Sequence, residues 1–501
     1  MKKKNNDPFK DYSGVIFNES GNISDEEFEK KVMEVLKKDN IDVFVTKTEK
    51  TLFKALPDDK EEFNTKFINK EDLQNPDLFK KRILGLTSYF KSAQEKLLPK
   101  YDKDEDFSII NSEMSEIQFK QYLNARERER KENENKKTDK ETTSTYRIYS
   151  REFCNFVFPD DYPRPSKNKK DADVEVNDEF NNEDEIIEIK TISEENEPKY
   201  AEELNNALAY LKKNGDQYLS KSGLRTLSPK FLNLLNKLEN PANEGLHLVY
   251  SQFRTIEGIG VLKLILEQNG FVEFKIKKTG AKWDIEDIKE EDKDKPRFVL
   301  YTGTETSEEK EIIRNIYNSN WSQISGTIKS KLEKINANNF MGEIIKVFMI
   351  TASGAEGINL ENTRFVHIVE PYWHPVRMEQ VIGRARRICS HKNLPAKLRN
   401  IKVFLYLASF SEDQKKNNKE LSRLDDDKTT DEYLHNLSNK KERTNNQILT
   451  AVKETAMDCF FYRDSGMKCF NFGTIGENKN DKNEFSTIPN EGEFTSKIKK
   501  K

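Results

Sequence analysis

Residues 349–391 read MITASGAEGINLENTRFVHIVEPYWHPVRMEQVIGRARRICSH, and this stretch decides the fold class. It starts inside an apolar run, IIKVFMIT (344–351), and passes through a glycine-containing turn into a second run, FVHIVE (365–370). A helix is then predicted to begin near Pro375, because proline suits the first turn of a helix. Short apolar runs that alternate with helical segments are typical of buried strands in a parallel α/β sheet.

The same alternation continues on both sides of this stretch. Three further apolar runs predict strands: LHLVYS (246–251), FVLYTG (298–303) and IKVFLYLAS (401–409). Ile259, Leu262, Ile265 and Leu266 fall on one helical face. Thr306 and Glu309 have the spacing of a capping box at the start of another helix. The sequence therefore predicts an α/β fold with a parallel sheet.

The length and composition of the chain exclude a single compact core. A chain of 501 residues is expected to form two or three packed units. Charged residues make up 35% of it, which predicts domains interrupted by solvated insertions. The polar stretch 165–185 is interpreted as a loop or a disordered insertion, and the mixed-charge run 118–139 as solvated helix or disorder. Thr429 and Glu432 predict the start of a late helix.

The charge balance and the cysteines exclude several classes of protein. With 85 Lys and Arg against 88 Asp and Glu, the net charge of -3 provides no global attraction to nucleic acid, so any such binding needs a local patch. The four cysteines show no C-x-x-C spacing, so we expect neither a disulfide scaffold nor a zinc ribbon, and a reducing compartment is predicted. No apolar run has the length of a membrane span, which predicts a soluble intracellular protein.

The turn after the strand at 344–351 is the first candidate for a binding site. Thr351 ends this strand, and the turn Ser353-Gly354-Ala355-Glu356-Gly357 follows it. In open parallel sheets, ligands bind at the carboxyl ends of the strands. Glycines there let backbone N–H groups approach a phosphate or a nucleic-acid backbone.

The segment QVIGRARR (380–387) supplies the second candidate. We expect Gln380, Arg384 and Arg387 to lie near one another at a helix start, because they are spaced by four and three residues. Guanidinium groups at a sheet edge suit phosphoryl transfer, which needs positive charge over the developing negative charge. The alternative is a basic surface helix. Its weakness is that packing does not explain Gln-x-x-x-Arg-x-x-Arg one strand after a glycine-rich turn.

These residues resemble a known family. Residues 349–391 resemble motifs V and VI of superfamily 2 helicases, and LVYSQF (248–253) resembles motif IV. The resemblance is closer to the SNF2-like helicases of nucleocytoplasmic large DNA viruses, the group of poxvirus nucleoside triphosphate phosphohydrolase I and the early transcription factor small subunit. STYRIYSREFCNFVFP (144–159) and VKETAMDC (452–459) are also similar to it, so the resemblance extends from about residue 50 to about 475.

The resemblance implies a RecA-like helicase C-terminal lobe, with ATP bound between this lobe and another. Arg384 and Arg387 would be arginine fingers at the γ-phosphate, and Gln380 would position them. Four residues would lie at the nucleotide: Gly354, Glu356, Gly357 and Gly383. Four residues would contact nucleic acid: Ser251, Gln252, Thr351 and Asn359.

One departure from the family is large. The sequence has no G-x-x-x-x-G-K-[ST] phosphate loop and no apolar strand that leads into an acidic box. We therefore expect that the first lobe, which would hold the triphosphate and Mg²⁺, is absent from this chain, through a split gene or a fragment. The predicted segments are 1–78 (end of a first-lobe region or linker), 79–240 (helical, insertion-rich), 241–411 (RecA-like lobe) and 412–501 (helical extension with a disordered tail).

The predicted function is that of the C-terminal half of an ATP-dependent helicase or translocase in viral transcription or replication. Expected partners are nucleic acid (duplex DNA favoured), a first RecA-like lobe and viral RNA polymerase, in a viral factory of the host cytoplasm or in the virion, without a membrane. The alternative is a non-catalytic helicase-like scaffold of a viral transcription complex. A magnesium-dependent nuclease rests only on Glu188 and Lys190 of EIIEIK (185–190), for which an edge strand is the simpler interpretation. Trp373 could stack on a base, although packing against the sheet is favoured.

Overall fold

The computed structural model describes residues 24–41, 55–88, 97–135, 147–165, 198–280, 282–303, 305–352, 357–417, 427–461 and 468–470. Several sequence predictions lie outside these residues: most of the 165–185 stretch, Glu188, Lys190, Gly354, Glu356 and the tail after residue 470. The chain divides into two compact units, residues 1–60 and 61–501. The predicted segment boundaries at 78, 240 and 411 stay predictions.

Helix α1 (Asp25–Lys38) is the described helix of the first unit. It begins after Ser24, whose hydroxyl oxygen accepts a hydrogen bond from the Glu27 N–H at 3.2 Å. Its apolar side chains Phe28, Val32 and Val35 are exposed.

The other helices are distributed along the chain and flank the strands. They are α2 (Lys60–Phe67), α3 (Pro76–Ile83), α4 (Lys103–Asp106), α5 (Glu116–Asn135), α6 (Ile148–Asn155), α7 (Pro198–Lys213), α8 (Gly215–Tyr218), α9 (Lys221–Leu227), α10 (Pro229–Glu239), α11 (Ile259–Gln268), α12 (Ser307–Tyr317), α13 (Gly326–Ile335), α14 (Pro375–Ala385), α15 (Glu412–Asn417) and α16 (Thr430–Thr455). None of the helices in the described part of the chain is both long and apolar enough to cross a membrane.

The strands form one large sheet and two short hairpins. They are β1 (Ile68–Asn69), β2 (Asp72–Leu73), β3 (Phe107–Glu113), β4 (Leu246–Tyr250), β5 (Val272–Glu273), β6 (Ile276–Thr279), β7 (Lys282–Ile285), β8 (Arg297–Tyr301), β9 (Val347–Ile350), β10 (Thr363–Ile368) and β11 (Lys402–Ser409). The large sheet has the order β3-β11-β10-β4-β9-β8-β5, and every neighbouring pair in it is parallel. The predicted parallel α/β fold is therefore confirmed.

Helices cover both faces of this sheet. Alternate residues of β4 point to opposite sides, so that Leu248 and Tyr250 join one core cluster and Val249 joins the other. The first cluster packs against apolar residues of α12, α13 and α14, and the second against apolar residues of α7, α9, α10 and α11. Burial on both faces explains why the central strands are continuous apolar runs.

The sheet extends beyond the predicted lobe at 241–411. Edge strand β3 pairs with β11 from Phe107 to Glu113, and helices α7, α9 and α10 cover one face although they lie before residue 241. The sequence did not predict β3 because FSIINSE mixes polar and apolar residues, as an edge strand with one neighbour can.

The mixed-charge run is helical over its described residues 118–135, and part of it is buried. Helix α5 carries Arg126 and Glu129, which form an ion pair of 2.6 Å in the interior. Glu129 also accepts a hydrogen bond from the Ser150 N–H at 2.9 Å. The prediction of a solvated helix is wrong at these positions, because the two charges pair with each other and Ser150 of α6 donates to Glu129.

The cysteines differ from the expectation. Cys459 and Cys469 are joined by a disulfide bond, whereas Cys154 and Cys389 are free thiols. The sequence offered no sign of this pairing, because the two residues lie ten positions apart without a recognised spacing.

Candidate functional site at the carboxyl edge of the sheet

The carboxyl ends of the parallel strands bring several predicted residues to one edge. Ser251 directly follows β4, Thr351 directly follows β9, and Glu370 lies two residues after β10. Strands β9, β4 and β10 are neighbours in the sheet, so their ends lie side by side. Thr351 is buried at this edge.

Ser251 is bound inside the protein and does not face a surface groove. Its side chain is fully buried, and its hydroxyl donates a hydrogen bond to Glu370 Oε1 at 2.6 Å. The Gln252 N–H donates to Glu370 Oε2 at 3.0 Å. Burial raises the pKa of Glu370, and the hydrogen bond from Ser251 opposes that rise. The predicted direct contact of Ser251 with nucleic acid does not fit this geometry, because the buried Ser251 hydroxyl already donates a hydrogen bond to Glu370.

Gln252 is partly buried and is held by an arginine from α6. Arg151 Nη2 donates to Gln252 Oε1 at 2.7 Å and to the Pro371 carbonyl oxygen at 3.4 Å. Only 5% of Arg151 is exposed. Sequence analysis assigned no role to Arg151, although this residue lies in the stretch 144–159, which resembles the helicase group.

A buried polar network continues from Glu370 to the start of α16. Asn155 Nδ2 donates to Glu370 Oε1 at 2.5 Å, and Asn155 Oδ1 accepts from Lys230 Nζ at 2.8 Å. Lys230 Nζ also pairs with Asp431 Oδ2 at 2.5 Å, and Asp431 accepts from the Ala408 N–H at 2.9 Å. All four of these side chains are at least 99% buried. Sequence analysis missed them, because their partners are far away along the chain.

The loop 251–258 is fixed by an ion pair and by close packing. Arg164 Nε lies 2.7 Å from Glu257 Oε1, and Arg164 Nη2 lies 2.6 Å from Glu152 Oε2. Burial raises the pKa of Glu257, and Arg164 opposes that rise. A Cβ atom on Gly258 would lie 1.9 Å from the Phe253 carbonyl oxygen, so only glycine fits there.

The turn between β9 and β10 is described from Gly357 onward. Gly357 has a φ of +70°, the left-handed region that favours glycine, and it is exposed. The Asn359 carbonyl oxygen accepts a hydrogen bond from Asn318 Nδ2 at 2.9 Å. Its buried side-chain Oδ1 has no hydrogen-bond partner in the described part of the chain. Asn359 follows the predicted binding turn 353–357. Its buried side-chain oxygen is therefore a candidate acceptor for a hydrogen bond from a ligand.

Helix α14 presents the predicted arginines at its C-terminal end and not at its start. His374 caps its N-terminus by accepting from the Val376 N–H at 3.2 Å, and Pro375 is the first helical residue. Gln380 is exposed in the middle of the helix, and Gly383 is partly exposed in its last turn. The predicted helix start near Pro375 is confirmed, and the placement of Gln380, Arg384 and Arg387 at a helix start was therefore wrong.

The two arginines lie beside the β9–β10 turn. Arg384 is partly exposed in the last turn of α14, and its carbonyl oxygen accepts a hydrogen bond from the Leu360 N–H at 3.0 Å. Arg387, two residues past the helix, is also partly exposed. The C-terminal end of a helix favours cations, since the helix dipole is negative there.

Arg386 has a different environment. Its guanidinium carbon lies 5.6 Å from the centre of the Tyr101 ring. Burial raises the pKa of Tyr101 to about 12, and the nearby charge of Arg386 opposes that rise. Arg386 is therefore a packing residue.

The remaining sequence candidates have packing roles. Lys441 Nζ of α16 lies 3.8 Å from the centre of the Trp373 ring, and the packing of that tryptophan against the sheet stays a prediction. His247 Nδ1 and His367 Nε2 are 3.0 Å apart in the core. Among the residues with a described position, no three His, Cys, Asp or Glu side chains gather as they would around a metal ion.

Comparisons with known proteins agree with this architecture. Residues 283–389 match the family model of the helicase conserved C-terminal domain, which includes β9, β10 and α14. This match and the parallel sheet identify the fold as that of a RecA-like helicase C-terminal lobe. A crystal structure of the C-terminal part of the Fun30 ATPase domain aligns with 69% of this chain and 98% of its own, at 15% identity and a TM-score of 0.33. A TM-score of this size supports no conclusion.

Two similar viral proteins come from large DNA viruses. A protein of Acanthamoeba polyphaga mimivirus, named as a predicted ATP-dependent RNA helicase, is 26% identical over 478 residues, which cover 83% of this chain and 52% of that protein. The termination factor NPH-I homolog of African swine fever virus (isolate Pig/Kenya/KEN-50/1950) is 28% identical over 451 residues, 82% of this chain and 54% of that protein. The chain thus spans about half the length of the curated relatives it matches.

Proposed function

We propose that this chain is the C-terminal half of an ATP-dependent, duplex-DNA-directed helicase or translocase that acts in viral transcription or replication. The observation that carries this proposal is the position of Arg384 and Arg387. Both are partly exposed at the end of α14, and a hydrogen bond from Leu360 to the Arg384 carbonyl oxygen links that end to the β9–β10 turn. Two cations thus lie at the end of α14, which packs beside the residues that lead into β10.

The chemistry that this arrangement supports is stabilisation of negative charge. In phosphoryl transfer the charge on the transferred group grows toward the transition state, and fixed guanidinium groups lower its energy. Arg384 and Arg387 would supply that charge, and Gln380 would position them. ATP and Mg²⁺ would be held mainly by the first RecA-like lobe, and Gly357 and Gly383 would lie near the nucleotide.

Nucleic acid would bind at the turn between β9 and β10, mainly through its phosphates. The exposed backbone at Gly357 offers a polar group there. A net charge of -3 provides no broad basic surface, so affinity should be weak and should fall steeply as salt rises. Phosphate contacts carry no base information, so affinity should hardly vary with sequence.

The test is an ATPase assay with and without a first lobe. The chain alone should release phosphate at background level, because it contains no phosphate loop. A first RecA-like lobe from a relative in the same viral group, added in trans or fused at the N-terminus, should restore turnover that duplex DNA stimulates. Turnover by the repurified chain alone would refute the split arrangement. A correctly folded pair that binds DNA but never hydrolyses ATP would favour the scaffold alternative.

A further inference from the structure

Helix α6 lies against two segments of the site and supplies two side chains that each contact both. Arg151 and Asn155 are four residues apart and therefore lie on the same face of the helix. Arg151 binds Gln252 and the Pro371 carbonyl oxygen, while Asn155 binds Glu370 and the Glu257 carbonyl oxygen. Each residue thus joins the 251–258 loop to the segment 370–374.

We infer that Arg151 is a positioning residue that couples nucleic-acid contact at the 251–258 loop to the segment 370–374. This segment leads directly into α14, since His374 is its N-cap and Pro375 its first residue. A displacement of Gln252 by bound nucleic acid would therefore be passed through Arg151 to the helix that carries the arginines. The inference rests on the proposed function, because it assigns a role to the nucleic-acid contact of that same site.

The guanidinium group suits this task for geometric and electrostatic reasons. Its planar array of N–H groups lets a single nitrogen, Nη2, contact the Gln252 side chain and the Pro371 backbone while the group keeps further donors. Arg151 Nε and Gln252 Nε2 are buried and have no hydrogen-bond partner within the described residues. This leaves the pair less constrained than Glu370, whose two oxygens accept three hydrogen bonds. A loosely held polar bridge between two fixed loops is the element that can rearrange.

A natural reporter lies in the coupled segment. Trp373 is two residues from Pro371, and its ring lies 3.8 Å from Lys441 Nζ. The chain has three tryptophans, so replacing Trp283 and Trp321 by phenylalanine leaves Trp373 as the single source of indole fluorescence. Movement of segment 370–374 should change its emission, because the indole would change its distance from the lysine charge.

The experiment compares duplex binding with the Trp373 signal in the full-length chain. Fluorescence anisotropy of a fluorescein-labelled DNA duplex reports binding, and Trp373 emission at a saturating concentration of unlabelled duplex reports coupling. The parent for all variants is the chain in which Trp283 and Trp321 are replaced by phenylalanine. In this parent, saturation with duplex should change the Trp373 emission. Arg151→Gln should bind the duplex with a Kd within about threefold of the parent and lose most of the emission change. Gln252→Ala, which removes the other end of the bridge, should lose it as well.

A matched control keeps the result specific. Arg225→Gln removes the same charge from an exposed position on α9 and should retain the full emission change. A full emission change in a folded Arg151→Gln or Gln252→Ala variant, or binding without any change in the parent, would overturn the inference alone. Absence of duplex binding by the parent would overturn the proposed nucleic-acid function, and with it this inference.

Discussion

The 251–258 loop and the 380–387 segment are two parts of the candidate site, and they are built in opposite ways. In the loop, Ser251 is fully buried and Glu257 is 1% exposed, and both are bound to other elements of the protein. In the segment, Gln380 is exposed, and Arg384 and Arg387 are partly exposed. The loop is therefore a buried structure that holds neighbouring elements in position, whereas the segment exposes its side chains to a ligand or a partner. Changes in the loop should cost stability, whereas changes in the segment should cost activity and leave folding intact.

The largest effect is expected from the arginines. Arg384→Ala and Arg387→Ala should each lower turnover of the two-lobe pair by about 10³-fold, the low end for arginine fingers, because two groups share the task. ATP binding should change less than turnover, since the stabilised charge grows only in the transition state. Arg384→Lys should not restore activity, because an ammonium group lacks the planar fork of donors. Steady-state kinetics on the reconstituted pair measures all three.

The control for this prediction is Arg225→Ala on α9, an exposed arginine that should leave turnover unchanged. Arg386 is unsuitable as a control, because its guanidinium packs on Tyr101. If Arg384→Ala and Arg387→Ala both keep near-wild-type turnover, these residues are surface charges and the scaffold alternative gains.

On the buried side, Lys230→Met should cost about 3 kcal/mol of unfolding free energy, because it leaves Asp431 buried without its partner. Urea denaturation followed by circular dichroism measures the difference. The matched control is Lys221→Met, which breaks an ion pair with Glu239 at a half-exposed position and should cost less than about 1 kcal/mol. Equal losses in the two variants would show that burial does not distinguish these pairs.

The sequence predicted the parts of the molecule that depend on local pattern. Strands β4, β9, β10 and β11 are continuous apolar runs, and each was found where such a run occurs. The capping box of α16, in which Thr429 and Glu432 satisfy each other's backbone N–H groups, was predicted from two residues three positions apart. Sequence patterns of three to eight residues can be interpreted in this way because they follow from the geometry of a single strand or helix.

The parts that depend on distant partners were not predicted. Asn155 bonds to Glu370 across 215 positions, and Lys230 bonds to Asp431 across 201. No local pattern announces that a lysine near a helix start will be buried against an aspartate of another helix. For the same reason Ser251 was placed in a groove, although Glu370 holds it in the interior. The roles of Arg384 and Arg387 remain a prediction.

A third prediction concerns the histidine pair of the core, which belongs to the buried side of the comparison. Burial, with a smaller contribution from the charge of Lys237, lowers the pKa of His367 to about 3. The folded state thus keeps this ring neutral, whereas the unfolded chain takes up a proton near pH 6.5. Stability is therefore fully present above pH 6.5 and is lost as pH falls toward 3, by roughly 2 kcal/mol at pH 5.

The measurement is the free energy of unfolding at pH 7.5 and pH 5. His367→Phe combined with Tyr406→Phe removes the ring and the hydroxyl bound to it at 2.8 Å, and should reduce the acid loss by roughly 2 kcal/mol. His435→Gln, at a partly exposed position on α16, should reduce it less. An unchanged pH dependence in the His367 variant would mean that this ring is protonated without unfolding.

The smallest expected effect comes from Gly383. It distinguishes the two regions because stability and turnover should change in opposite directions. Gly383 lies between Gln380 and Arg384, and no heavy atom of the described residues lies within 4 Å of the position its Cβ would take. Gly383→Ala should therefore stabilise the chain by up to about 1 kcal/mol, because alanine favours a helix over glycine. Yet turnover of the two-lobe pair should fall by roughly threefold, since the added methyl group would meet the first lobe where it closes on α14.

Gly326→Ala is the matched control, because its Cβ would also enter open space, at the first residue of α13. It should stabilise the chain slightly and leave turnover unchanged. Thermal denaturation and ATPase assays on both variants give the comparison. A Gly383→Ala variant that gains stability and keeps full turnover would mean that no other lobe approaches this face of α14. The exposed side chains of the 380–387 segment would then contact no other lobe. The functional difference between this segment and the buried 251–258 loop would disappear.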